Sequence, residues 1–242
     1  MTDELKVFRG HDIPINSHLV IKQATLDDVC DRYGEQRYFG VLRTLCATPA
    51  DRKVEIWDNM HVFWDEVDEF DLFISCFKSM GKEDIEIFMD GIDPKDFELA
   101  IDPNTGMRAL RRSDNVIIDR SVHTLLTNEL RKMHLLKKNV DVGYDRYTKE
   151  VMIDDDREEQ KAQMRKPFRS ILLPLISAMT NCSEFKYRYD DVWALPITVF
   201  FDALERVQNT RRVGFLMQGI YSGSVDMKKI NSKELEWMGS LR

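Results

Sequence analysis

Cysteine is scarce in this chain, and no two cysteines lie close together in the sequence. The 242 residues contain four, at Cys30, Cys46, Cys76 and Cys182. Disulfide-rich folds and structural zinc sites depend on closely spaced cysteine pairs such as CxxC. The spacing therefore argues against both, and it predicts free thiols in a reducing, cytoplasmic setting.

Long hydrophobic runs are also missing. The opening MTDELKVFRGHDIPIN has no apolar core of the kind that signal peptides carry. The most apolar stretch, 171–179, is far shorter than a membrane-spanning helix needs. With only 11 glycines and 7 prolines, the composition also excludes fibrous and low-complexity classes. We expect a folded, soluble protein that does not bind a membrane.

The sequence has none of the short motifs that mark common catalytic or cofactor sites, including GxGxxG, GxxxxGK[ST], HExxH and GxSxG. His123 and His134 are about three helical turns apart, which is too far to share a metal ion. The acidic runs at 65–71 and 154–156 are typical of solvated helix faces. We therefore expect a non-enzymatic protein with no catalytic residue, no metal and no cofactor.

Charge is unevenly distributed along the chain. The net charge is −7, and the stretch 51–102 contains 16 acidic but only 5 basic side chains. The stretch 107–150, in contrast, has more basic than acidic residues. A nucleic-acid-binding protein usually shows an overall basic surface. We expect instead that the basic stretch packs against the acidic stretch of the same fold.

Apolar residues at helical spacing predict short helices through much of the first half of the chain. Residues 1–17 are predicted to be irregular, 18–23 to form a strand, and Thr25 to cap a short helix. A helix at 35–47 would bury one face, formed by Tyr38, Val41, Leu42 and Leu45. Thr48 and Pro49 would then start a new helix, followed by a further one over 65–80.

The middle of the chain changes from helical to strand-like patterns. Strands are predicted at 85–89, 97–101, 107–112 and 115–119, with a turn at 102–106. Asp119 or Ser121 would cap the long helix that follows. The resulting prediction is an α+β fold that is predominantly helical, with a small antiparallel β-meander in the middle of the chain.

The second half is predicted to be helical again. The highly charged segment 139–167 is either an exposed helix or a mobile linker. A helix beginning at Pro167 would be kinked by Pro174. A helical stripe at 197–207, a further helix, a glycine-rich bend and a final helix around Trp237 would close the chain. We predict three regions: 1–138, helical with the meander; 139–167, a charged bridge; and 168–242, helical.

The two ends of the chain resemble tail and baseplate assembly proteins of phages that infect Gram-positive bacteria. At the N-terminal end the resemblance rests on Gly34, Glu35, Tyr38, Leu45, Ala47, Thr48 and Pro49. At the C-terminal end it rests on Asp191, Phe200, Asp202, Ala203, Gly219, Tyr221, Ser222, Gly223, Asp226, Lys228, Lys229, Ile230 and Trp237.

The resemblance implies a tail-morphogenesis protein in the host cytoplasm, with the virion tail as the other location. Such a protein would be an assembly chaperone for the tape-measure, tail-tube or baseplate hub protein, or a structural subunit of the tail or baseplate, and it could form oligomers. The residues at which we expect a partner to bind are Trp193, Phe200, Phe201, Met217, Tyr221 and Trp237. A weaker alternative is a nucleic-acid-associated regulator that uses Arg108, Arg111, Arg112, Arg131, Lys132, Lys137 and Lys138.

Overall fold

The fold was obtained as a computed structural model, which describes residues 4–101 and 106–239. It is 58% helical, with two small antiparallel sheets. The predicted α+β class is therefore confirmed, as is the position of the meander in the middle of the chain. Most of the turn predicted at 102–106 lies outside the described residues.

The helices of the first half are short and are separated by capped turns. They are α1 (Glu4–Phe8), α2 (Glu35–Leu45), α3 (Lys53–Met60), α4 (Glu69–Ser79), α5 (Lys82–Ile85) and α6 (Arg120–Met133). A π-helical turn at Asp28–Arg32 precedes α2, and 3₁₀ turns at Pro49–Arg52, Trp64–Glu66 and Pro94–Asp96 lie between the others.

Side-chain caps explain several of these boundaries. The Asp51 carboxylate accepts hydrogen bonds from the backbone N–H and the hydroxyl of Thr48, so the predicted restart of the helix at Thr48 is confirmed. Asp119 accepts from the backbone N–H of Val122 at 2.8 Å and begins α6. Thr25 and Asp28 form the same kind of reciprocal bonds at the predicted cap of the short first helix.

The described residues of the second half form four α-helices. They are α7 (Arg146–Met164), α8 (Leu172–Thr180), α9 (Tyr189–Val192) and α10 (Ile197–Tyr221), followed by 3₁₀ turns at Met227–Lys229 and Ser232–Leu235. The segment predicted as an exposed helix or a mobile linker is therefore largely helix α7. Among the described residues, no helix is both long and apolar enough to cross a membrane.

The strands form two separate sheets. Strands β1 (Ile13–Pro14) and β2 (Val20–Ile21) pair with each other, and β3 (Glu98–Ile101), β4 (Arg108–Arg111) and β5 (Ile117–Ile118) form the meander in that order. Leu110 of β4 pairs with Leu99 on one side and Ile118 on the other. Leu110 and Ile118 are buried, which fixes the sheet to the helices beneath it.

One large core draws on both halves of the chain. It includes apolar residues between positions 13 and 133 and others between 172 and 207. On α4, Phe73 and Phe77 stack with ring centroids 5.5 Å apart, and Phe77 meets Phe97 edge to face at 5.5 Å. Backbone hydrogen bonds join the halves as well, since Leu26 donates to the carbonyl of Leu195 at 3.0 Å. The predicted division into three regions is not tested by these contacts and stays a prediction.

A second, smaller core lies beneath α7 and is held by a buried lysine. Ile153 of α7 packs with Trp64 and residues of α3. The Lys53 amine, 3% exposed, donates to Asp141 at 2.9 Å and lies 3.3 Å from the Asp156 carboxylate. The same amine lies 5.4 Å from the centre of the Trp64 ring. Lys53 therefore ties α3 both to α7 and to the loop before it.

Substitution of Lys53 by methionine should lower the free energy of unfolding by about 1–3 kcal/mol. The methionine keeps the apolar stem but leaves Asp141 and Asp156 without their cation. Both carboxylates are partly exposed and regain some hydration, so the expected loss lies below that of a fully buried pair. Urea denaturation of the variant measures it. In the control Lys161→Met, which breaks the exposed pair with Glu158, we expect a change below about 0.5 kcal/mol, and equal losses would contradict the assigned role of Lys53.

Several predicted elements are wrong in type or extent. Residues 85–89 are not a strand: α5 ends at Ile85 and turns follow, although Ile87, Phe88 and Met89 are all buried. A short apolar run of this kind indicates that the segment is buried, but it does not show whether the segment is a strand. The predicted irregular lead-in contains α1 and β1. The helix predicted at 65–80 begins only at Glu69, because Asp68 caps it.

The second half also departs from prediction in two places. The helix predicted to begin at Pro167 begins at Leu172 instead, so Pro174 falls in its first turn and not in its interior. In the first turn the missing N–H has no partner inside the helix to lose. No helix surrounds Trp237, since the last 3₁₀ turn ends at Leu235.

Candidate docking surfaces

Two of the six residues predicted to bind a partner are buried. Phe200 is fully buried and Phe201 is 5% exposed. The Phe200 ring packs edge to face on Phe185 at 6.3 Å, and Phe201 packs on His134 at 6.4 Å. Both side chains therefore belong to the core that joins α10 to the rest of the fold, and they do not form part of its surface.

Trp193 is half-buried at the junction of the two halves. Its backbone carbonyl accepts a hydrogen bond from the backbone N–H of Asp27 at 2.9 Å. Its ring meets the exposed Tyr189 edge to face, with centroids 5.9 Å apart. Trp193 therefore contacts other parts of the fold, and only part of its ring is exposed to solvent.

The other three predicted residues lie at the C-terminal end of the fold. Met217 is half-buried on α10, Tyr221 is the last residue of that helix and is 82% exposed, and Trp237 is 47% exposed. After α10 the chain turns at Gly223, whose φ of 73° is the left-handed conformation that glycine adopts readily. The three residues are therefore carried by one helix and the tail that follows it.

The C-terminal tail folds back along α10. Arg206 in the middle of the helix donates to the backbone carbonyls of Trp237 at 2.6 Å and Gly239 at 3.0 Å. A Cβ on Gly219 would lie 2.7 Å from Val225, so the tail packs there more closely than any side chain would allow. These contacts hold the tail in a defined position against the helix.

This helix and tail expose further large apolar side chains that the sequence analysis did not single out. We name as the C-terminal surface the five exposed residues Phe215, Tyr221, Met227, Trp237 and Met238, each between 47% and 82% exposed. The predicted helical stripe ends at Val207, whereas α10 continues to Tyr221 and therefore also carries Phe215. Exposed lysines and arginines lie beside these residues in the chain, at Arg212, Lys228, Lys229 and Lys233.

An ion pair braces α10 against the loop between α8 and α9. Arg211 donates to both carboxylate oxygens of Glu184, at 3.1 and 3.0 Å. The hydrogen bond from Arg211 holds the pKa of Glu184 well below its usual range, and bonds from Cys182 and Ser183 act in the same direction. The Cys182 thiol donates to Glu184 at 3.0 Å, so this cysteine takes part in the brace.

The basic stretch packs against the acidic stretch, as the sequence predicts. Five basic residues between 107 and 150 form ion pairs with acidic residues between 65 and 71. The pairs are Arg108–Asp71, Arg120–Asp68, Arg131–Glu69, Lys138–Glu69 and Lys149–Asp65. Of the seven cations of the nucleic-acid interpretation, five are paired within the fold: Arg108, Arg112, Arg131, Lys132 and Lys138. Arg111 and Lys137 are exposed.

His123 of α6 and His134, the residue that follows this helix, are buried and make different contacts. His134 Nδ1 lies 2.7 Å from the carbonyl of Leu130, which can only accept, so Nδ1 carries the proton. Nε2 then accepts from the hydroxyl of Tyr38 at 2.8 Å, and burial raises the pKa of Tyr38. His123 packs among the rings of Phe70 and Phe73, and its Nε2 has no hydrogen-bond partner.

The cysteines are unpaired thiols, and Cys46 is the buried one among them. All four cysteines are free, and burial raises the pKa of Cys46 to about 12. A thiol with so high a pKa stays protonated and is a poor nucleophile. No group of three or more histidine, cysteine, aspartate or glutamate side chains within 4–101 and 106–239 is arranged to hold a metal ion.

A match to a known family lies in the region of the C-terminal surface. A family model described as the YomV second domain matches residues 170–242. This family is associated with a phage of Gram-positive bacteria, so the match is consistent with a phage protein, as the resemblance implies. No curated protein and no solved structure matches the chain. The matched range contains α8, α9, α10 and the tail.

Proposed function

We propose that this chain is a non-enzymatic protein of phage tail morphogenesis that binds other tail proteins through its C-terminal surface. The observation that carries the proposal is that α10 and its tail expose five large apolar side chains within the region that matches the phage-associated family. Exposed aromatic and methionine side chains on a fixed support are typical of protein–protein binding sites.

The charge distribution favours a protein partner over nucleic acid. Five of the seven cations named for the nucleic-acid alternative are used in ion pairs inside the fold, and the chain as a whole carries −7. Around the C-terminal surface, Lys228, Lys229 and Lys233 are exposed beside apolar residues. Such a surface suits a partner helix that presents an apolar face with acidic residues at its edges.

The partners that the proposal names are the tape-measure, tail-tube and baseplate hub proteins. An assembly chaperone binds them before the particle is complete and then leaves, whereas a structural subunit stays in the tail. Quantitative mass spectrometry of purified virions separates the two roles. A chaperone is absent from the particles, and a structural subunit is present at a fixed ratio to the tube protein.

The test is co-purification of the tagged chain with each of the three tail proteins after co-expression. We expect one of them to be retained, and the double variant Phe215→Ala, Tyr221→Ala to retain at least about tenfold less. Both side chains are exposed, so the free energy of unfolding should change by less than about 0.5 kcal/mol.

The matched control is Tyr147→Ala, which removes an equally exposed tyrosine from α7. This variant should retain the partner as well as the unmodified chain does. Retention of none of the three proteins would refute the proposal. If the control and the double variant lost partner retention equally, the C-terminal surface would not be the binding site.

A further inference from the structure

A groove lies between α2 and the segment that links α7 to α8, outside the C-terminal surface. Its volume is about 720 Å³. The cations that line it are Arg43, Lys166 and Arg169, and Gln36 and Gln163 add uncharged polar groups. Met164, Pro167, Phe168 and Ile171 form its apolar part. No aspartate or glutamate is among these lining residues. We call it the basic groove.

The three cations of the basic groove are not used to stabilise the fold. All three are exposed, and none forms an ion pair or a side-chain hydrogen bond with another described residue. The arginines and lysines packed against the acidic stretch behave differently, because most of them are paired. In a chain with a net charge of −7, three adjacent cations without carboxylate partners leave a local positive potential in a concave site.

The linking segment that carries Phe168 is held in place by α2. The Glu35 carboxylate accepts hydrogen bonds from the backbone N–H groups of Ile171 and Leu172, the latter at 2.8 Å. The Glu35 carboxylate is therefore directed at the start of α8 and forms no ion pair with the described cations of the groove. Phe168 nevertheless stays 51% exposed and Met164 82% exposed, so apolar area and positive charge are presented together.

Carboxylates lie beyond both ends of the basic groove. On one side an adjoining cavity shares Arg43, Gln163 and Met164 with it. Its other charged lining residues are five carboxylates and four cations: Asp51, Glu55, Asp141, Asp156 and Glu159, and Arg52, Lys53, Arg131 and Lys137. On the other side a shallower cavity shares Gln36 and Phe168 with the groove and includes Glu35. The positive potential is therefore confined to a short stretch of surface.

We propose that the basic groove binds a short acidic segment of a partner protein. Two or three carboxylates of the segment would pair with Arg43, Lys166 and Arg169, and an adjacent apolar side chain would pack on Phe168. Arginine forms two parallel hydrogen bonds with a carboxylate, which gives the site selectivity for planar anions. The proposal does not depend on the C-terminal surface or on a role in tail assembly.

The confinement of the charge favours a peptide over a nucleic acid. A nucleic-acid strand carries a phosphate at every nucleotide, so it needs a basic track that extends along its backbone. A strand that followed this groove would meet the carboxylates of Asp51, Glu55 or Asp156 within the next cavity. A peptide can end its run of acidic residues where the cations end.

The test is fluorescence anisotropy on the full chain with three labelled probes. The first is a peptide of glutamates interspersed with leucines, the second replaces every glutamate by glutamine, and the third is a single-stranded oligonucleotide. We expect the acidic peptide to bind, with an affinity that falls as the salt concentration rises. The glutamine peptide should not bind. Each of the substitutions Arg43→Glu and Arg169→Glu should lower the affinity for the acidic peptide about tenfold.

The control is Lys95→Glu, which makes the same charge change at an exposed site on the 3₁₀ turn Pro94–Asp96. It should alter peptide binding by less than about twofold. Failure of the acidic peptide to bind would overturn the proposal, as would binding that neither arginine substitution weakens. Tighter binding of the oligonucleotide, lost in Arg43→Glu and Arg169→Glu, would make the groove a nucleic-acid site instead.

Discussion

Replacing Phe200 with alanine should lower the free energy of unfolding by about 3–5 kcal/mol. The side chain is fully buried and packs against Phe185 and Phe201, so its removal loses apolar burial and leaves a cavity between α10 and the loop before α9. The core at this point joins the second half of the chain to the first. The loss should therefore appear as a single, shifted urea transition that both halves share.

The comparison variant is Tyr221→Ala, at the other end of the same helix. Its side chain is 82% exposed, and we expect a change below about 0.5 kcal/mol. Together, the variants Phe200→Ala and Tyr221→Ala distinguish a residue that packs in the core from one that is free to bind a partner. Both residues were predicted to bind a partner. A small loss for Phe200→Ala, together with a loss of partner binding, would return Phe200 to the surface role first predicted for it. Two separate transitions would show that the halves do not unfold together.

The sequence was sufficient wherever one periodic pattern lay between clear caps. Tyr38, Val41, Leu42 and Leu45 are all buried on α2, as their spacing predicts. Asp119 caps α6, and the strands of the meander lie within the predicted ranges. In these segments the local hydrogen bonds and the apolar face specify the same structure, so tertiary contacts do not change the outcome.

Prediction was weaker in segments that other elements bury on all sides. Residues 85–89 are buried without forming a strand, because Lys22 of the N-terminal sheet region bonds to the Phe88 carbonyl and other elements cover the run. On α10 the first part is buried on most sides and the second part is exposed, so no single stripe runs along its 25 residues. The periodic pattern therefore ends before the helix does.

The two candidate surfaces differ in how far sequence could reveal them. Tyr221 and Trp237 were predicted because they lie in a patterned C-terminal segment, and both are exposed. The basic groove was not predicted, because Arg43 is more than a hundred positions away from Lys166 and Arg169. Only the packing of α8 against α2, which Glu35 fixes, brings these cations together.

Burial of His123 should make the stability of this protein depend on pH. The imidazole is 3% exposed, lies 4.5 Å from the Phe73 ring centre, and has no partner for Nε2. Burial lowers the pKa of His123 from 6.5 to about 4. The charge of Glu69 acts in the opposite direction, and the charges of Arg131, Lys138 and Arg120 act in the same direction as burial.

The direction in which stability changes with pH follows from which state, folded or unfolded, binds the proton at the higher pH. Between pH 6.5 and about 4 the unfolded chain is protonated at His123 while the folded chain is not. The stabilisation associated with the neutral imidazole is therefore complete above pH 6.5 and is lost as the pH falls toward 4. The total loss from this group is about 3 kcal/mol, because each pKa unit corresponds to about 1.4 kcal/mol.

Urea denaturation at a series of pH values between about 4 and 7.5 measures this effect as a difference between variants. Carboxylates with lowered pKa values, such as Asp68 and Glu69, also lose stabilising interactions at the acid end of the range, and they do so in every variant. Subtracting the curve for His123→Gln from that of the unmodified chain therefore isolates the histidine. We expect the difference to fall by about 3 kcal/mol from pH 7 to pH 4. A curve for His123→Gln parallel to that of the unmodified chain would show that the buried imidazole is not what limits stability in acid.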